Sequence, residues 1–129
     1  MMKTKNCRTM AMVCVCVSLL SGCATRIGDF TVLSTKNMDF NSPDGFVTQV
    51  GRRVTGEDKQ HFFLIFPVTG AANIKEATDA AIQRVPGAVG LSNAVLYHTG
   101  MWLILYGYGG YRVEGDPVFT KKTAPSGHR

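Results

Sequence analysis

The chain is poor in the residues that build covalently or metal-held folds. Its 129 residues include 4 cysteines and 3 histidines. Cys7, Cys14 and Cys16 fall near the start, where an apolar run makes sulfur act as a small hydrophobe. Only Cys23 lies beyond them, so the body of the chain has to fold without an internal disulfide. His61, His98 and His128 lack the Cys partners or His-x-x-x-His spacing of a zinc site, so no metal is expected, although His61 and His98 end strand-like segments and can approach each other. No G-x-S-x-G elbow surrounds Ser34, Ser42 or Ser92, which argues against acyl transfer. Gly107-x-Gly109-Gly110 follows an apolar segment but no helix follows it, so it fails as a dinucleotide loop. Neither an enzyme nor a cofactor is expected. Clustered charge is missing too. The formal charge is +5, but Lys3, Lys5 and Arg8 sit at the extreme start, and without them the balance is only +2. That argues against a nucleic-acid partner. No apolar run reaches the roughly 20 residues of a membrane-spanning helix.

What is present starts at the N-terminus. A basic segment, Met1 to Arg8, precedes the apolar run Met10 to Leu20, and small residues Ser21 and Gly22 lead into Cys23. A cationic lead, a short apolar core and small residues at its end make a secretory signal. Leu20-Ser21-Gly22-Cys23 resembles the lipobox of bacterial lipoproteins. The resemblance implies diacylglycerol transfer to the Cys23 thiol, cleavage between Gly22 and Cys23, and acylation of the new amino terminus by a fatty acid such as palmitate. Ala24 follows, and by the same resemblance a residue other than Asp there permits sorting to the outer membrane, with the mature protein facing the periplasm.

The expected organisation is a signal peptide over 1–22, a lipidated tether over 23–28, one domain over 29–119 and a flexible tail over 120–129. Asp29 to Ser34 has strand composition, and Asn41-Ser42-Pro43-Asp44-Gly45 is a dense turn signal. Phe46 to Thr55 reads as a strand with a bulge at Gly51, and Gly56-Glu57-Asp58-Lys59 as the next turn. Phe62 to Phe66 is a continuous apolar run, as in a strand covered on both faces.

Asn73 to Val85 reads as a helix. Asn73 can cap it, with Glu76 completing a capping box. Ile74, Ala77, Ala81 and Val85 form an apolar stripe, Lys75 and Asp79 pair on the opposite face, and Pro86-Gly87 ends the helix. Asn93 to His98 and Met101 to Tyr106 should form a hairpin across Thr99-Gly100, with a second turn at residues 107–110 and a last strand from Tyr111. The pattern predicts an α+β fold, a small antiparallel sheet with one helix packed on one face.

From Asn73 to Pro117 the fragments IKEATDAA, AVLYH, LILYGYGGY and VEG are similar to small bacterial envelope lipoproteins of the tRNA-associated-locus (TRL) type. That resemblance implies a small envelope domain and assigns no catalytic residue. Alternation places Trp102, Ile104 and Tyr106 on one face of their strand, a possible interaction surface for an envelope protein, a second copy or lipid headgroups. The sequence thus points to a lipid-anchored, non-catalytic binding or structural module. The alternative is a carrier or sensor for a small apolar ligand held between helix and sheet.

Overall fold

The computed structural model describes Met10, Met12, residues 22–41 and residues 43–122. Strand β1 spans Cys23–Leu33, β2 Phe46–Thr48, β3 Val54–Phe63 and β4 Phe66–Pro67. Helix α1 spans Ile74–Gln83, and β5 (Ala88–Trp102) and β6 (Tyr106–Thr120) follow. These strands form one sheet in the order β1-β5-β6-β3-β4, and all pairs are antiparallel. Short β2 pairs with the last residues of β6, beyond the stretch that pairs with β3.

The two 15-residue strands β5 and β6 are the spine. Their pairing runs from Ala88 opposite Phe119 to Trp102 opposite Gly107. Helix α1 lies on one face of this sheet. Its Ala77, Thr78, Ala81 and Ile82 are buried, and with Leu91, Leu96, Val113 and Phe119 they make the core. The approach is close because the strand beneath has no side chain at one point. A Cβ on Gly56 would stand 2.8 Å from Ala81 Cα and collide with the Ala77 carbonyl. Small residues facing each other set this spacing.

The helix begins as its sequence suggests but with a different partner. Asn73 Oδ1 accepts from the Lys75 N–H at 2.8 Å. The Asn73 N–H donates to Asp58 Oδ2 at 2.8 Å, so a carboxylate from β3 does what Glu76 was expected to do. The stripe has the expected register, apart from half-exposed Ile74. Lys75 and Asp79 pair at 2.8 Å, and Gly87, with φ 85°, follows the helix.

The expected α+β class is corrected to a sheet-dominated antiparallel fold, with 55% strand, 12% helix and one short helix after β4 among the described residues. Two segments with turn-like composition account for the difference. Gly56 to Lys59 is the middle of β3, paired residue by residue with Val113 to Gly110 of β6. Glu57 pairs with Lys59 at 2.6 Å, and Arg112 of β6 pairs with Glu114 at 2.6 Å and approaches Glu57 at 3.6 Å, all on the face away from the helix. Gly107 to Gly110 is the start of β6, where a Cβ on Gly110 would strike the Asp58 backbone. Strand Phe46 to Thr55 is also divided, into β2 and the start of β3, by a turn in which Gly51 has φ 84°.

Residues 23–28, expected as a tether, form the first half of β1 and pair with β5. Thr120 closes β6, and residues 123–129 of the expected tail lie outside the described residues. The expected signal peptide also lies outside them, except for Met10, Met12 and Gly22.

Candidate functional site

The feature that stands out is one end of the sheet. Strand β1 enters there, with Cys23 opposite Gly100. Two hairpins turn there side by side. In the first, Phe63 pairs with Phe66 across Leu64 and Ile65. In the second, Leu103 and Tyr106 exchange backbone hydrogen bonds at 2.6 and 3.1 Å across Ile104 and Leu105. The Leu64 N–H donates to the Leu105 carbonyl at 2.7 Å, tying one turn to the other.

Both turns are aliphatic where turns normally carry Gly, Asn or Asp. Leu64 even adopts φ 55°, a left-handed conformation that a branched side chain disfavours. Ile65 is 78% exposed and Ile104 86%, and Phe63, Leu64, Phe66, Trp102 and Leu105 are exposed beside them. The expected hairpin across Thr99-Gly100 is therefore moved, because those residues lie inside β5 with Gly100 facing Gly109. The run Phe62 to Phe66 is likewise not a covered strand but a hairpin tip.

Trp102, Ile104 and Tyr106 are brought together, though not on one face. Trp102 stands opposite Gly107 and covers it, so Tyr106, one residue earlier on β6, points to the other side. Phe62 lies near the Trp102 ring, with centroids 6.2 Å apart, on the helix side. On the opposite side the Tyr106 hydroxyl is 2.6 Å from His61 Nδ1, and Tyr108 sits under Lys59. Ile104 is at the apex.

Charge is absent from the sequence of both hairpins. No Asp, Glu, Lys or Arg occurs from Gln60 to Ile74 or from Thr99 to Tyr111. The charges resume with Lys59 and Arg112, in the cross-strand belt described above. Within it the Lys59 hydrogen bond, with Arg112 and Arg84 nearby, holds the Glu57 carboxyl below the usual carboxylate range against partial burial.

Cys23 is exposed and free, and Gly22 lies against Gly100 and Tyr108. His61 and His98 do not meet. They flank β6 on different strands, and His98 packs edge-on to Tyr111. Among the described residues no three His, Cys, Asp or Glu side chains gather as metal ligands. One polar pair escaped the sequence reading. Ser92 and Asp116 face each other across β5 and β6, each with a buried oxygen lacking a protein partner, beside the bulge where Asn93 takes φ 47°. A surface cleft of about 350 Å³ opens at the same bulge, lined by Arg26, Asp29, Arg53 and Asn93. No family model, curated protein or solved structure matches the chain.

Proposed function

We propose that this protein is a lipid-anchored, non-catalytic bacterial cell-envelope lipoprotein, similar to the TRL type, acting as a binding or structural module. Its leader is removed between Gly22 and Cys23, acyl chains on Cys23 hold it, and Ala24 directs it to the outer membrane, facing the periplasm. The observation that carries the reading is the Leu20-Ser21-Gly22-Cys23 motif behind a basic and apolar leader. An exposed Cys23 at the first position of β1 is compatible with it. The ligand-carrier alternative draws no support from the helix–sheet contact. Helix backbone meets Gly56 directly there, and the Phe62 to Phe66 segment lies out at the sheet end.

The test is metabolic labelling with palmitate in a bacterial host. The native chain should take up label and fractionate with membranes. Cys23→Ala should lose the label and the processing. Equal labelling of the variant would overturn the anchor.

A further inference from the structure

We propose that the two hairpin tips, Phe63 to Phe66 and Trp102 to Tyr106, seat in the surface of the same bilayer that holds Cys23. The protein then stands end-on, with its strands pointing into the membrane. This rests on the lipid-anchor reading and adds a second, protein-borne contact to it.

Register supplies the argument. Cys23 stands opposite Gly100, two residues before Trp102 on β5. At about 3.3 Å per residue, the turn apex therefore reaches only on the order of 10 Å beyond Cys23 along the strands. No slack separates the cysteine from the sheet, because Cys23 to Arg26 are paired one by one with Gly100 to Tyr97. Chains attached to Cys23 bring that end of the sheet to the lipid surface. Whatever projects past Cys23 in the same direction must then enter the headgroup and acyl boundary.

The composition suits that depth. Leu64, Ile65, Ile104 and Leu105 lead, and no charged residue accompanies them. Trp102, Tyr106, Tyr108 and His61 follow, as aromatic and amphipathic side chains do at a membrane interface. Lys59, Glu57 and Arg112 come next and remain in water. An apolar tip, an aromatic collar and a charged belt succeed one another along the strands. A protein partner for this end would leave the position of Cys23 beside it without a reason.

Trp102 is the only tryptophan, so it reports the tip without labelling. The purified lipidated protein is reconstituted into phosphatidylethanolamine–phosphatidylglycerol vesicles whose acyl chains carry bromine. Mass spectrometry of the N-terminal peptide first establishes acylation of Cys23. The expected result is a blue-shifted Trp102 emission that loses most of its intensity to bromine. An Ile65→Asp, Ile104→Asp double variant alters two exposed apices. It should stay folded by circular dichroism and acylated, yet restore a red, unquenched emission. An acylated, vesicle-bound native protein with water-like emission overturns the tip contact and leaves the anchor standing. Shielding from water without bromine quenching, together with cross-linked dimers, assigns the tips to a second copy and also overturns it. An unmodified Cys23 sinks both readings.

Discussion

Among the described residues Leu64 carries the clearest conformational cost. Its positive φ places a γ-branched side chain where glycine or asparagine sits without strain. Leu64→Gly should therefore stabilise the fold by about 1 kcal/mol, seen as a higher melting temperature. A lower one would mean that the leucine packs usefully within the protein itself. Asp79 bears on a different property. It accepts from Lys75 and from Thr35, which follows β1, and these hydrogen bonds hold its carboxyl below the usual range. A carboxyl with a depressed value in the folded state gives stability that is present above its unfolded value. That stability is lost as pH falls through the folded one. Urea unfolding repeated at decreasing pH should show this loss, and Asp79→Asn should reduce the slope. An identical slope in the variant would remove Asp79 from the linkage. Such pairings of distant residues are hard to read in a sequence. Lys75 and Asp79 were legible because helix geometry fixes their spacing, whereas Thr35 and the Asp58 cap of Asn73 depend on the fold.

Among the elements, α1 was the most legible. An apolar stripe at helical spacing, a cap residue and a Pro-Gly stop all follow from local rules. Ala81, 0% exposed, is its tightest point. Ala81→Asp should cost several kcal/mol by burying an unpaired charge against Gly56, read as a large drop in melting temperature. An unchanged melt would place the stripe in solvent. The strands were less legible, for a reason that runs through all of them. Turn composition does not fix turn position: the glycines of β6 serve close approach, Gly110 to the β3 backbone and Gly107 to the Trp102 ring. The charges of β3 serve cross-strand pairing. The actual turns carry leucine and isoleucine, which no turn rule favours. A short apolar run has the same periodicity whether it is covered or exposed at a tip. The signal that was available was the combination of an apolar turn segment with an uncharged neighbourhood on two separate stretches.

For the whole molecule, one long antiparallel sheet replaces the smaller sheet with a shared helical layer. The candidate surface of Trp102, Ile104 and Tyr106 was legible in its residues but not in its shape. It is an end and not a face, and its other half, Phe63 to Phe66, was assigned to the interior. For the proposed anchoring, the end of the sheet that the first strand enters matters more than the face the helix covers. Strand β1 is an edge, and Cys23 is its terminal residue. If Cys23 carries the proposed acyl anchor, tension between that anchor and the body acts along β1, parallel to the strand and across its bonds to β5. The rungs from Cys23 to Leu33 carry such a load together, in shear. A pull at right angles would open them singly, like a zip. Under the proposed anchoring, β1 would be loaded in its stronger direction.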